Sequence, residues 1–264
     1  MKKTWIMAAT SLFIWAVPAR AEVWLENLTW TELRDAVGQG STTVIIPIGG
    51  VEQSGPHLAL GKHNARVKFL AEKIATQLGH TIVAPVVAYV PEGAIDPPTQ
   101  HMKFPGTLTL TDDTFIQMLV QTGNSLKHAG FTHVVLIGDH GGYQRDLTAA
   151  ADRLNKSWGG KAKALAALGY YAIAGSQYVS ALEAAGMASN EIGTHAALAD
   201  TSLELAAVPS MVRVDKMKDA ASAKPENGVY GGNPSRSSAA LGQKGLDLIV
   251  AGTVAEIDTF RGGQ

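Results

Sequence analysis

Along the chain, short apolar runs rich in β-branched residues alternate with longer stretches whose apolar positions recur every three or four residues. Residues 42–48 (TTVIIPI) form a nearly unbroken apolar run and read as a strand buried on both faces. From Asn64 to Gln77, the residues Val67, Leu70, Ala71 and Ile74 fall on one side of an amphipathic helix. Residues 81–87 predict a second buried strand. Residues 112–129 open with two aspartates and stop before Gly130, the start and stop signals of a helix. A third strand is expected over 133–137 (HVVLI), a further helix over 144–158, and a fourth strand over 163–171. A helix starting near His195 would turn Ala199, Leu203 and Ala206 inward. Residues 220–238, rich in Ala, Ser, Gly, Asn and Pro, read as a long loop.

Largely apolar strands alternating with helices define an α/β protein with a mostly parallel central sheet covered on both faces. In such sheets ligands bind beyond the carboxyl ends of the strands, where loops meet helix N-termini. That rule selects the loops after Ile48 and after Ile137. No internal repeat or linker divides the chain, so residues 22–264 are expected to form a single domain.

Composition narrows the class further. The 22 basic and 23 acidic side chains nearly cancel, which leaves no electrostatic reason to hold nucleic acid or an anionic membrane. The expected partner is a small molecule. Lys2 and Lys3, an apolar stretch from Trp5 to Val17 and the Ala19-Arg20-Ala21 tripeptide read as a secretory signal peptide over residues 1–21. The stretch is shorter than the roughly 20 residues that span a bilayer. The expectation is therefore a periplasmic or secreted protein with no membrane segment after cleavage. There is no cysteine, so any metal must be held by His, Asp or Glu.

Four stretches carry candidate chemistry. The loop 49–64 (GGVEQSGPHLALGKHN) gathers Glu52, His57 and His63 on a glycine-rich backbone able to bring them together. On spacing alone a polar surface loop with incidental histidines is an equal reading, because no sharp ligand motif such as HExxH is present. The loop 137–146 (IGDHGGYQRD) sets Asp139 and His140 at the end of a buried strand, a place rarely given to two ionisable groups for packing reasons. His195 and Asp200 lie in EIGTHAALADTSLEL, and His101 precedes a Pro-Gly turn in PTQHMKFPGTLTL. Alone, neither of the last two is informative.

Together these stretches resemble the creatininase (creatinine amidohydrolase) family. Its first signature is close to E-x-H-G-P-H-L-P-L-x-T-D, against EQSGPHLALGKH from Glu52 to His63. Its second is N-G-H-G-G-N, against GDHGGY from Gly138 to Tyr143. An FPGT element is intact at 104–107, HAALADTS resembles H-A-G-x-x-E-T-S, and GVYGGNP resembles a late G-V-x-G-x-P segment. The order of the elements is preserved over nearly the whole chain after residue 21.

The resemblance implies a three-layer α/β/α fold, often assembled as a homo-oligomer (a hexamer), and a divalent-metal site of Zn, Mn or Fe. It implies hydrolysis of the C–N bond of a small amide, cyclic amides included, by a metal-activated water. Carried over by position, Glu52 and His140 match metal ligands, and His195 matches the proton-shuttling histidine; Glu52 and His195 are the catalytic candidates. Ser54 stands where the family has its next histidine ligand, His63 where it has a bridging aspartate, Asp200 where it has a glutamate, and Tyr143 where it has an asparagine. An imidazole cannot bridge two cations as a carboxylate does. The expectation is therefore one metal per site, held by Glu52, His63, His140 and Asp139 or Asp200. Two rivals stay open at this point. One is a non-catalytic small-molecule-binding protein with a degenerate metal site, favoured by Ser54. The other is metal-free hydrolysis by Ser54 with His57 or His195 as base.

Overall fold

The computed structural model describes residues 22–221 and 225–262; the expected signal peptide lies outside them. Helix α1 (Trp30–Gly38) is set by a capping box between Thr29 and Glu32. It precedes β1 (Thr43–Ile48), every residue of which is buried. Then follow α2 (Lys62–Leu78), β2 (Thr81–Val83), α3 (Asp112–His128), β3 (His133–Gly138), α4 (Gln144–Trp158) and β4 (Lys163–Ala166). The four strands are parallel in the order β2-β1-β3-β4, so β1 and β3 are central and their carboxyl ends lie side by side. The rest of the described chain is helical apart from one small hairpin-like pair. It runs through α5 (Gly169–Ala174), α6 (Gln177–Ala184), α7 (Ser189–Ile192), β5 (Gly193–His195), α8 (Leu198–Ala207), α9 (Met217–Ala220), β6 (Tyr230–Gly232) and α10 (Ala239–Gly262).

The alternation of side chains along the strands sorts the core into two layers. Ile45, Val135 and Ile137 pack with α2, α5, α6, α8 and α10 on one face. Val44, Ile46, Val134 and Leu136 pack with α3 and α4 on the other. This is the three-layer α/β/α arrangement the resemblance implies. Proline inside a central strand is unusual because it cannot donate to the ladder. Pro47 is accommodated where β2 has already ended at Val83: its carbonyl accepts the Val87 N–H at 2.9 Å.

Three expectations are corrected. The second strand stops at Val83, and only a single bridge from Ile48 to Val87 continues the pairing, because Pro85 interrupts the run. The fourth strand stops at Ala166, and Tyr170 and Tyr171 lie on α5. Within residues 220–238, Tyr230 to Gly232 forms β6 and pairs antiparallel with β5 through His195 and Tyr230. That pairing ties the segment to His195.

Helix α10 crosses α8 closely because both contacts are small. A Cβ added at Gly242 would stand 1.8 Å from the Ser202 carbonyl oxygen and 2.9 Å from Ala206 Cβ. Gly242→Ala should lower the stability by about 1–3 kcal/mol through overpacking, measured by urea unfolding. Gly38→Ala, which meets nothing within 4 Å at the end of α1, should change it by under about 1 kcal/mol.

Candidate active site

Strands β1 and β3 deliver the two chemistry-bearing loops to one spot. Asp139 N–H donates to the Ile48 carbonyl at 3.0 Å, extending the β1–β3 ladder into the loops. Gly49 lies so close to the start of α2 that a Cβ there would meet Asn64 Oδ1 at 2.2 Å, and that oxygen accepts the Gly50 N–H. Tyr143 is fully buried; its hydroxyl lies within hydrogen-bond reach of the carbonyls of Ile48 and Gly49, at 2.9 and 2.7 Å, and accepts the His140 N–H. It ties the two loops to each other.

Glu52 is fully buried, and its two oxygens do different things. Oε1 accepts from His63 Nε2 at 2.6 Å and lies 3.6 Å from Lys62 Nζ. The other nitrogen of His63, Nδ1, donates to Asp139 Oδ2 at 2.6 Å. Arg66 donates through Nε and Nη2 to Asp139, and through Nη1 to Asp200 Oδ1 at 2.7 Å. Asp200 Oδ2 closes the circuit on Lys62 Nζ. The six side chains form a closed ring in which acid and base alternate: Glu52, His63, Asp139, Arg66, Asp200, Lys62. Tyr170 donates to Asp139 Oδ1 at 2.7 Å, and the Ala196 N–H to Asp200 Oδ2 at 3.0 Å. Ala196 reaches that position with φ 53, a left-handed conformation that costs a non-glycine residue roughly 1–2 kcal/mol.

The ring fixes the charges. Burial and the Lys62 ammonium push the His63 imidazole down, but Glu52 and Asp139 outweigh them and raise it to about 9. Burial opposes ionisation of Asp200, yet Lys62 and Arg66 hold it well below the usual carboxylate range. Asp139 is likewise held low against its burial, by Arg66 and His63. Of the expected ligands, His63 has each ring nitrogen 2.6 Å from a carboxylate, Nε2 from Glu52 and Nδ1 from Asp139, while Asp139 and Asp200 are engaged by Arg66, Lys62, Tyr170 and a backbone N–H.

Oε2 of Glu52 faces the other way. His101 Nε2 and His140 Nε2 each stand 3.3 Å from it, and one oxygen of Glu92 lies 3.7 Å from His140 Nδ1. Ligand atoms of Glu52, Glu92, His101 and His140 all fall within 4.8 Å of one another. Oε2 of Glu52 and both Glu92 oxygens are buried without a hydrogen-bond partner, a costly state for polar groups away from water. Burial and Glu52 push the Glu92 carboxyl up to about 9. Burial lowers His140 to about 4 despite Glu52, leaving it neutral. The Glu52 carboxylate, a Glu92 carboxyl whose proton a cation would displace, and the two imidazoles fit a divalent cation such as zinc or manganese. Of the expected ligands, Glu52 and His140 belong to this cluster. Glu92 was absent from the sequence reading; a lone carboxylate after an apolar run gives no periodic or motif signal. His101 is oriented by the FPGT element: Thr107 Oγ1 donates to its carbonyl and accepts the Gln53 N–H, and the Gln53 side chain lies 3.0 Å from His101 Nδ1.

His195 completes the site from β5. Its Nε2–H donates to the Gln53 carbonyl at 3.0 Å, leaving Nδ1 as the acceptor, 3.6 Å from Glu52 Oε1. Burial and Lys62 lower it to about 3, against the pull of Glu52, so it is neutral. Ser54 Oγ reaches only Glu52, at 3.4 Å, and His57 Nε2 lies 2.8 Å from Thr201 Oγ1. No histidine is paired with Ser54 as a base. A cavity of about 370 Å³ opens over the site. His101, His140 and His195 lie at its polar end, and Tyr171, Val179 and Leu203 among its apolar walls. Tyr178, Tyr170 and Trp158 are core residues.

Beyond the carboxyl ends of a parallel α/β sheet, a His/Glu cluster able to hold a divalent cation thus lies beside His195. The sequence profile of the creatininase family, described as creatinine amidohydrolase, matches residues 26–257, and the chain belongs to that family. It is 29% identical over 120 residues to 3-dehydro-scyllo-inosose hydrolase of Thermotoga maritima, covering 45% of this chain and 36% of that protein. It is 32% identical over 112 residues to the mycofactocin precursor peptide peptidase of Mycolicibacterium smegmatis, covering 40% of this chain and 42% of that protein. The match thus spans less than half the length of these curated relatives. Among solved structures, a creatininase superposes with TM-score 0.73 at 21% identity, covering 89% of this chain and 96% of the other. A manganese form of creatininase gives 0.73 at 20% identity, covering 90% and 98%. At these identities the likeness speaks for the fold.

If Glu52, Glu92, His101 and His140 hold the cation, Glu92→Gln and His101→Ala should each weaken manganese or zinc binding by at least the roughly 10–100-fold that loss of a ligand's own supporting partner costs. Equilibrium dialysis with elemental analysis measures this, and unchanged affinity in both variants would remove them from the ligand set.

Proposed function

We propose that this chain is an exported, metal-dependent amidohydrolase that cleaves the C–N bond of a small amide, cyclic amides included. The observation that carries the reading is the convergence of Glu52, Glu92, His101 and His140 on one point beneath a cavity that also exposes a neutral His195. A divalent cation held there supplies Lewis acidity and lowers the pKa of water.

The chain's own residues supply the rest. His195 takes a proton at Nδ1 and returns it to the leaving nitrogen, its ring orientation set by the Gln53 carbonyl on Nε2. The side chain of Tyr230 lies along the His195 ring, with centroids 5.3 Å apart and planes 30° apart. It covers one face of the imidazole. Gly141 leaves room for Tyr171 over the cavity: a Cβ there would meet the tyrosine hydroxyl at 2.7 Å. A cavity of about 370 Å³ suits a small substrate. Location in the periplasm or beyond rests on the signal-like residues 1–21, and a hexameric assembly rests on the resemblance alone.

Protein purified without chelator should carry about one divalent ion per chain and lose turnover on a panel of small cyclic and formyl amides when the ion is stripped. His195→Ala should lower kcat by roughly 10²–10⁴-fold, the usual worth of a general acid–base group, with metal content unchanged. A metal-loaded protein that binds such amides without turning any over would favour the non-catalytic binding protein instead.

A further inference from the structure

The first five residues of α2 include Lys62, His63 and Arg66 and no acidic residue. The positive end of a helix dipole favours anions, so three buried basic side chains there oppose the local field. All three are buried, Lys62 at 1% exposure. They are tolerated because Glu52, Asp139 and Asp200 converge on them from three other segments.

The geometry of Lys62 is that of a bound cation. Its ammonium sits between two carboxylates, bonded to Asp200 Oδ2 and 3.6 Å from Glu52 Oε1. Asp200 is itself oriented by Arg66 and by the left-handed Ala196 N–H. A second divalent ion beside the first would need these same oxygens, and each is already taken by a basic group of the chain. The signature to which residues 52–63 correspond ends in Thr-Asp, where this chain has Lys62-His63. Of the two changes, it is Lys62 that sets a cationic group between the two carboxylates. On the opposite side of Glu52, Oε2 and the Glu92 oxygens have no such partner.

Building on the metal-dependent reading above, we propose that Lys62 occupies, through its ammonium, the place of a second divalent cation between Glu52 and Asp200. The site then takes one exchangeable metal by construction, and Lys62 is a positioning residue for Glu52 and Asp200. Arg66 bonds the other Asp200 oxygen, and His63 bonds Glu52 Oε1. The divided use of Glu52 keeps its Oε2 directed at the single metal.

The test compares wild type with Lys62→Met, which keeps the length of the side chain and removes its charge. Both are stripped of metal, then followed by thermal melting and by the manganese-to-chain ratio at equilibrium dialysis. Wild type should saturate at one manganese per chain. Lys62→Met should melt lower when metal-free, regain its melting temperature with manganese, and saturate at two. If Lys62→Met does not fold without metal, refolding in excess manganese supports the proposal and failure to refold there overturns it. Two manganese ions in wild type, or a Lys62→Met ratio that stays at one, overturns this inference alone. Wild type that takes up no metal overturns the metal-dependent reading along with it, so the two failures are told apart.

Discussion

Burying three carboxylates and three basic side chains beside a hydrophobic core is costly unless every charge meets an opposite one in hydrogen-bond geometry. Here that condition is met by a closed circuit, Glu52, His63, Asp139, Arg66, Asp200 and Lys62, assembled from four separate parts of the chain. The basic members all come from the first five residues of α2, while the acids come from the loop after β1, the end of β3 and the start of α8. The circuit therefore locks the two central strand ends to two helices. Glu204, buried 3.6 Å behind Arg66 and raised to about 7 by its burial, adds to this side of the ring. Removing any one member would strand its neighbours' charges, which costs more than the pair contributes.

Glu52 connects this structural circuit to the chemistry. One oxygen is spent inside the ring and the other is left facing His101, His140 and Glu92. Because Oε1 is anchored by His63 at 2.6 Å, Oε2 has little freedom to turn away from the cluster. The ring positions Glu52 as a supporting shell orients a metal ligand. His195 feels the same arrangement from the opposite side, where Lys62 and burial keep it neutral and Gln53 fixes its tautomer.

The sequence made the architecture readable because β1 and β3 are uniform apolar runs and the helices between them carry plain amphipathic spacing. It failed where one residue overrode a pattern: Pro85 ended β2 early, and the turn after Ala166 took Tyr170 and Tyr171 into a helix. The site was legible by halves. Glu52, His140 and His195 could be found because motif order places them. His63, Asp139 and Asp200 were also found, but the ring of contacts that joins them was not, since a list of potential ligands says nothing of which partners each side chain meets. That depends on Lys62 and Arg66, whose aliphatic stems let basic residues pass for ordinary members of a helix. The available signal was the pairing of basic residues with the N-terminal turn of a helix flanked by glycine-rich loops.

The same distinction separates a rearranged site from a decayed one. Loss of function relaxes the demand for partners, so ligand positions drift to residues that leave cavities or unpaired groups. In this chain the departures are answered by new contacts. His63 is held by two carboxylates, Ser54 reaches Glu52, and the Tyr143 hydroxyl ties both loops at the ends of β1 and β3. The carboxylate oxygens left without partners next to His140 belong to Glu52 and Glu92, and they lie where two neutral imidazoles also converge. Stability alone would favour apolar side chains at those positions. Keeping a carboxylate and a proton-bearing carboxyl buried against two histidines makes physical sense when a cation joins them, while the charges of the ring beside them are met within the chain.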